Sequence, residues 1–502
     1  MKSPHQPDRR SAPAEPGDQK QSRAFLYVLT VGIFITALDQ TVVVTAIPSM
    51  VFDLDIEFRN IDRAAWIVNG FLIGYAVALP LAGRLADIYS RRLVFMGALG
   101  LFAAASLAAA LAENLWFLVG ARFLQAAGGG ALIPVALAQA SGDYRGRSRI
   151  VVYGLIISVA EMGGVLGPFW GAAITQFAGW RWIFYINLPL AALLALTAFF
   201  FRDRSTPVRL PLDWRGAILA MLGLTLLTVG IARDEIMSGL TVAILIITAL
   251  AVLAAFVIAE KRTAAPLVNL NMFRRHEFSA GNLASLLVGA GLIVPMVNIP
   301  LYAATVLERD ALGGGLLLIQ MTMAIPVGAI VGGFAASRIG NATVVYTGAA
   351  LAGLGLLLAS QWGISPGDTV MTRDLLIAGA GFGLVIAPLT GVVVAGAGRD
   401  SAGVGAAMVS VSRLLGMMIA LASLTPWALQ RFNEVASTLP LPLGTGTESA
   451  AALDALGFQY QLGIKLAAGS MFADLFVLSA ILCWVAIVPG LWLLRYPTVR
   501  PV

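Results

Sequence analysis

The stretch Ala24–Met50, AFLYVLTVGIFITALDQTVVVTAIPSM, holds a single ionisable carboxylate, Asp39, in an otherwise apolar or weakly polar run. A helix needs about 20 apolar residues to cross a hydrocarbon core of roughly 30 Å, so the run spans a bilayer and Asp39 lies near its middle. A charged side chain at that depth is unfavourable by at least about 2.5 to 3.5 kcal/mol, and such groups normally face a cavity or a partner on an ion or substrate path. Asp39 therefore needs a functional reason. Arg122, Glu161 and Arg413 recur at similar depth in other apolar runs.

Working outward, the 502 residues are 59% apolar and only 12% charged, with a mean hydropathy of +0.85. Water-soluble domains carry about 25% charged residues, so a soluble globule is excluded and an all-α integral membrane fold is expected. Fourteen apolar runs are long enough to be transmembrane helices. With the N-terminus cytoplasmic, the inner tails and loops hold 23 of the 33 Lys and Arg and the outer loops 8; the other 2 are Arg122 and Arg413. That asymmetry is expected to place both termini in the cytoplasm and leaves the net charge of +6 without need of a nucleic-acid partner. Cys483, the single cysteine, lies in the last apolar run, so no intramolecular disulfide forms.

The layout follows from the same runs. Residues 1–23, rich in Pro, Ser and Gln, read as a disordered cytoplasmic tail rather than a cleavable signal. Residues 24–201 make a first six-helix half, 202–277 a linker with two extra transmembrane helices, 278–494 a second six-helix half, and 495–502 a cytoplasmic tail. The halves look related: Ala82-Gly83-Arg84-Leu85-Ala86-Asp87-Ile88-Tyr89-Ser90 has a degraded echo in Gly332-Gly333-Phe334-Ala335-Ala336-Ser337-Arg338-Ile339-Gly340. Gly128-Gly129-Gly130 with Pro134 is echoed at nearly the same offset by Gly379, Gly381, Gly383 and Pro388. Paired six-helix halves rocking about a midplane site are one route to alternating access.

The outer segment at about 430–467 is longer than its counterparts. It breaks at Leu439-Pro440-Leu441-Pro442-Leu443-Gly444, and Thr445 with Glu448 has capping-box spacing. No proline then intervenes before Pro489, so one helix of about 45 residues, some 65 Å, is expected to project beyond the membrane with its neighbour.

Several constellations carry chemistry. In Gly83-Arg84-Leu85-Ala86-Asp87-Ile88-Tyr89-Ser90-Arg91-Arg92, between the second and third runs, the glycine permits close helix approach and Asp87 suits the exposed N–H groups of a neighbouring helix N-terminus. The arginines fix the loop at the inner leaflet. Gly163, Gly167, Pro168 and Gly171 give the fifth run a smooth, kinked face for close packing that seals the outer side. Glu161 precedes that face at a depth comparable to Asp39. Two carboxylates in one low-dielectric cavity oppose joint ionisation, so one can hold a proton and release it when the cavity meets water; Arg122 or Arg413 would tune them. A structural ion pair is the plainer alternative.

Nothing points to hydrolysis or a metal centre, so no enzyme is expected. His5 and His276 suit solvated or interfacial positions better than ligation, and no G-x-x-x-x-G-K-[ST] loop is present for ATP.

The inner loop resembles the G-x-L-x-D-R-x-G-R-R/K signature of the major facilitator superfamily, with Ile88 and Ser90 departing and Gly83, Asp87 and Arg91 kept. The resemblance implies a major facilitator fold with the two extra central helices, and a cytoplasmic gate made of Gly83, Arg84, Asp87, Arg91 and Arg92, Asp87 latching near Gly403 to Gly405. Leu38-Asp39-Gln40-Thr41, Arg122-Phe123-Leu124-Gln125-Ala126-Ala127-Gly128, Gly163-Gly164-Val165-Leu166-Gly167-Pro168 and Trp180 to Pro189 together are similar to the fourteen-spanning drug:proton antiporters. That branch implies Asp39 and Glu161 in proton coupling, Arg122 and Arg413 as cavity charges, and a proton gradient in place of any cofactor. The segment Asp374 to Glu434, with Gly381 to Leu389, Ser412 to Met417 and Trp427 to Asn433, resembles the mycobacterial triacylglyceride exporters that work with a periplasmic lipoprotein. It implies a monomer exporting lipids or other large amphiphiles, with a lipoprotein partner. A multidrug:proton antiporter for small lipophilic compounds is the alternative. A non-transporting scaffold is a third, against which the mid-membrane charges speak.

Overall fold

In lipid every backbone polar group must be satisfied within the chain, and a sequence this apolar does so by helices. The computed structural model describes residues 16–56, 63–144, 146–201, 213–232, 238–263, 266–397, 402–440 and 450–494, among which no strand occurs. Fourteen helices are long and apolar enough to cross a membrane. In chain order they are α1 (Arg23–Asp53), α2 (Ala65–Ala86), α3 (Arg91–Ala110), α4 (Leu115–Asp143), α5 (Leu155–Ala178), α6 (Trp182–Phe199) and α7 (Trp214–Ile231). They continue as α8 (Gly239–Arg262), α9 (His276–Thr305), α10 (Ala311–Ile339), α11 (Asn341–Ala359), α12 (Asp368–Ala397), α13 (Ala407–Ala436) and α14 (Asp454–Gly490). The face from which α1 starts is called the tail face below, and its opposite the far face.

Helical structure before α1 starts at Pro16, inside the stretch expected to be disordered. A proline at the first helical position forfeits no hydrogen bond there, and the helix extends back from α1 through polar residues. Near its far end α1 tightens into a 3-10 turn, Val43–Ala46, before resuming at Ile47–Asp53. Pro48 explains this, because its ring excludes the carbonyl four residues earlier and its nitrogen has no proton to give.

The repeat is visible in the packing. In the first half α1 lies against α5, α2 against α4, and α3 against both α4 and α6. In the second half α9 lies against α13, α10 against α12, and α11 against both α12 and α14, the same pattern shifted by eight helices. Between halves the main contacts are α5 with α10 and α2 with α13, which the pseudosymmetry exchanges. The extra helices α7 and α8 pair with each other, and α7 rests on α2 and α13, so the linker spans the seam between the halves.

The glycine face of α5 packs on α1 of the same half. A Cβ at Gly163 would come within 2.6 Å of Phe34 O, and at Gly171 within 2.8 Å of Thr45 Oγ1. Thr41 Oγ1 donates to Gly164 O (2.8 Å) and Thr45 Oγ1 to Pro168 O (3.0 Å), which takes up the carbonyls exposed around the proline. The other side of α5 meets α10, where Gly315 sits over Ala172 and Pro168. Sealing between halves thus falls to α5 and α10, while the glycines serve α1.

Beyond the spans, α13 belongs to a helix running Ala402–Ala436 and α14 to one running Ala450–Val485. The latter has 36 residues, about 54 Å at 1.5 Å each and well beyond a core of roughly 30 Å. It ends at Ala486 before a short helix Ile487–Leu494, earlier than the expected unbroken run to Pro489. Leu439 folds back over Gly463, and Lys465 Nζ pairs with Glu308 Oε1 at 2.5 Å, tying the extension to the α9–α10 turn. Thr445 and Glu448 lie outside the described residues.

Neighbouring glycines of α5 should respond oppositely to a methyl group. Gly163→Ala forces a backbone clash and should lower the melting temperature in detergent, whereas Gly164→Ala meets nothing within 4 Å and should be neutral or gain up to about 1 kcal/mol from helix propensity. Equal effects at the two positions would contradict the α1–α5 packing described.

Candidate functional site

Asp39 is reached by the first half alone. Arg122 of α4 donates from Nη1 to Asp39 Oδ2 at 2.6 Å and from Nη2 to the Asp39 carbonyl at 3.3 Å. Asn187 of α6 donates to Asp39 Oδ1 at 2.6 Å, and Gln125 of α4 to the same oxygen at 3.1 Å. Gln125 in turn accepts from Arg122 Nη1 (2.7 Å) and donates to Ser106 Oγ on α3 (2.8 Å). The Arg122 guanidinium stands over the ring of Phe71 at 4.2 Å and that of Phe184 at 5.7 Å. Both partners of the pair are enclosed, with side-chain exposure of 0% for Arg122 and 1% for Asp39. The network bolts α1, α3, α4 and α6 into one body.

Glu161 stands elsewhere. It forms an ion pair with Arg413 of α13, across the seam between the halves. The two side chains remain 35% and 15% exposed, and they line a cavity of about 90 Å³ with Gln40, Thr41, Tyr75 and Ser410. Helices of both halves thus meet around a partly exposed carboxylate and a guanidinium held by the opposite half.

The expectation that Asp39 and Glu161 face each other in one cavity, tuned by Arg122 and Arg413, is therefore corrected. Each acid has its own arginine, and neither Asp39 nor Arg122 lines the cavity. The reason is local: α1 turns Gln40 and Thr41 to the cavity, so Asp39, about 100° around the helix, faces α4 and α6.

At the tail face, Arg84 Nη2 donates to Pro266 O in the linker (2.6 Å) and Arg92 Nη1 to Phe201 O after α6 (2.7 Å), with Arg92 also over the Phe199 ring at 5.4 Å. Arg91 Nη1 donates to Gln139 Oε1 of α4 at 3.4 Å. Ser90, in the place of the signature glycine, caps α3 by accepting from Leu93 N. A Cβ at Gly83 would lie 3.7 Å from Pro134 Cβ, an ordinary contact. The loop binds the linker and the end of α6. The side chain of Asp87, on which the expected latch near Gly403 to Gly405 depends, lies outside the described residues.

Of the uncharged members of the Asp39 network, Gln125 and Asn187 fall in motifs quoted for the resemblance but were given no role, and Ser106 was not noted, since sequence does not show which way a polar side chain faces. Asp374 was also missed: it is fully buried at the far end of α12, accepting from Trp362 Nε1 at 3.0 Å and paired with Arg373 Nη2 at 2.8 Å. Trp180 Nε1 and Arg181 both engage Asp53 at the far face, joining the start of α6 to the end of α1.

Comparison with known proteins follows this geometry. Residues 29–421 match the family signature described as the Major Facilitator Superfamily. The chain belongs to the major facilitator superfamily. Within the superfamily it is 33% identical over 484 residues to the triacylglyceride transporter of Mycolicibacterium smegmatis, covering 92% of this chain and 86% of that one. It is 32% identical to the triacylglyceride transporter of Mycobacterium tuberculosis, covering 92% of both. Among solved structures, a bacterial homologue of the human lysosomal transporter Spinster superposes with a TM-score of 0.63 at 16% identity, over 95% of this chain and 98% of that one. The xylose transporter XylE from E. coli gives 0.57 at 14%, over 92% and 96%. The major facilitator fold and membership of a transport family, not a class of catalysts, are thereby established.

Removing one partner of a fully buried ion pair strands the other, typically at about 3 to 5 kcal/mol. Arg122→Met should therefore lower thermal stability strongly, and adding Asp39→Asn should restore most of the loss. A double variant no more stable than Arg122→Met, by melting temperature in one detergent, would refute the pairing.

Proposed function

We propose that this protein is a proton-coupled exporter of triacylglyceride-like lipids or other large amphiphiles across the bacterial plasma membrane, with both tails cytoplasmic. The observation that carries the reading is the Glu161–Arg413 pair, which joins the halves through a carboxylate in the central cavity. A proton on Glu161 cancels its charge and releases Arg413, so α5 and α13 are free to part. Loss of the proton on the other side of the membrane restores the pair. A cavity of about 90 Å³ is far below the roughly 300 to 1,000 Å³ that holds a drug-sized ligand. Substrate is thus admitted only after the halves separate, and opening and proton uptake become one event.

Asp39 is the second proton site in this reading, exposed only when α1 moves from α4 and α6. Until then, with Arg122, it keeps the first half rigid while the seam works. The excess of Lys and Arg on the tail face supports its cytoplasmic assignment. The tail-face arginines at 84, 91 and 92 act as gate through their hold on the linker and on α6.

Lipid as substrate is supported by the names of the two mycobacterial relatives and by the long helices of α13 and α14, which offer a path past the headgroups. The protein acts as a monomer that hands its cargo to a periplasmic lipoprotein at that extension. The driving force is the proton gradient, with no other cofactor.

Glu161→Gln in proteoliposomes should abolish transport of a fluorescent triacylglyceride driven by an imposed pH gradient, with the protein still monodisperse. Undiminished gradient-driven transport by Glu161→Gln would remove the mechanism. Transport of lipophilic cations by the unaltered protein, with none of the lipid, would establish the multidrug alternative instead.

A further inference from the structure

The extra helices hold a pair of acids that the transport mechanism does not use. Asp213 immediately precedes α7 and Glu260 lies in the last turn of α8, so the hairpin brings both to its tail-face end. Asp213 Oδ1 accepts from Gly216 N at 2.8 Å, capping α7, and Glu260 Oε2 accepts from Val268 N at 3.1 Å, with the Leu267 backbone N–H also acting on the Glu260 carboxylate. Their other oxygens, Asp213 Oδ2 and Glu260 Oε1, are buried without a hydrogen-bond partner among the described residues. The residues themselves are 8% and 3% exposed. Both orphan oxygens lie against Gly216: a Cβ there would be 2.6 Å from Glu260 Oε1 and 2.8 Å from Asp213 Oδ2. Glycine is what leaves room for them to approach.

Among the described residues, the charges around the pair are few. Arg84 of α2 acts on Glu260 across the helix interface, but it spends a donor on Pro266 O at 2.6 Å. Arg215, Lys261 and Arg262, on the hairpin's own helices, are exposed. Two ionised carboxylates with inward lone pairs repel and lack the donors that burial demands. Something positive belongs between them. A divalent cation needs about six or more oxygen ligands, and among the described residues no third acid or histidine joins the pair. One proton suffices, since an O–H···O⁻ bond between the orphan atoms satisfies both and removes one charge.

We propose that Asp213 and Glu260 form a further proton-binding site, apart from Glu161 and Asp39 and outside the central cavity, that holds one shared proton and fastens the α7–α8 hairpin to the tail-face end of the seam. The site reads the pH of that face. With the proton in place the hairpin end is closed, and Arg84 grips the chain just after α8. Once the proton leaves, two facing charges push α7 from α8, and the strap on α2 and α13 loosens. The proposal is independent of Glu161 and of the substrate.

The test uses the purified full-length protein in detergent, with thermal unfolding followed from about pH 5 to about pH 8 and infrared spectra of the carboxyl groups at neutral pH. The native state would keep a proton that the unfolded chain has released, so stability falls as pH rises. Glu260→Gln or Asp213→Asn should each flatten that fall and remove a protonated-carboxyl band, while Asp39→Asn leaves that band in place. A wild-type spectrum without any band removed by either substitution would overturn the proposal, and needs only variants that remain monodisperse. So would a wild-type melting temperature raised by added Mg²⁺ or Ca²⁺ and unchanged by them in Glu260→Gln, which would make the pair a metal site. Should neither variant fold, absence of any protonated-carboxyl band in the wild type at neutral pH overturns it equally.

Discussion

An ion pair made across a seam is only as stable as the closed state it joins, and the Glu161–Arg413 pair is such a bond. Its partners come from opposite halves, from helices that the pseudosymmetry makes equivalent, and they meet at a cavity where the carboxylate stays partly exposed. The rest of the architecture makes that contact conditional. The two halves share the same internal packing, and between them lie chiefly α5 with α10, α2 with α13, and the linker hairpin. On the proposed mechanism, a proton arriving at Glu161 acts on that seam.

The contrast with Asp39 clarifies the division of labour. Both acids lie deep in the bundle and both have an arginine, but one pair is sealed by Asn187, Gln125, Ser106 and two aromatic rings while the other opens on a cavity. Enclosure by donors fixes a charge in place and makes it a structural bolt. Partial exposure leaves the other less tightly held. The same element, a carboxylate beside a guanidinium, stands inside one half in one place and across the seam between halves in the other.

Much of this was legible beforehand, for physical reasons. Apolar runs the length of a bilayer admit only helices, so the fourteen spans followed from hydropathy. The echo of Ala82 to Ser90 in Gly332 to Gly340 anticipated the duplicated packing. The four mid-membrane charges stood out because no other charge lay in their apolar runs. Their pairing was not legible, since depth along a helix is set by residue number but direction is set by a rotation of 100° per residue, and one step separates Gln40 in the cavity from Asp39 behind it. Amides at 125 and 187 carry no charge to betray them. Asp213 and Glu260 sit at span ends, where loops are normally charged, and only coordinates reveal that their free oxygens both lie against Gly216. Ordering of residues 16–23 into helix was missed because composition speaks to solvation and not to the helix that a neighbouring span nucleates.

The most direct measurement is the distance between spin labels on the tail-face ends of α5 and α13, recorded by pulsed electron paramagnetic resonance against pH in lipid nanodiscs. Cys483, buried at 1% exposure, is first replaced by serine. If protonation of Glu161 unlocks the seam, the distance distribution shifts with falling pH in the otherwise unaltered protein, and in Glu161→Gln it is already shifted and insensitive to pH. A shift of the same size and midpoint in both proteins would contradict the assignment of Glu161 as the group that joins proton uptake to the opening of the halves.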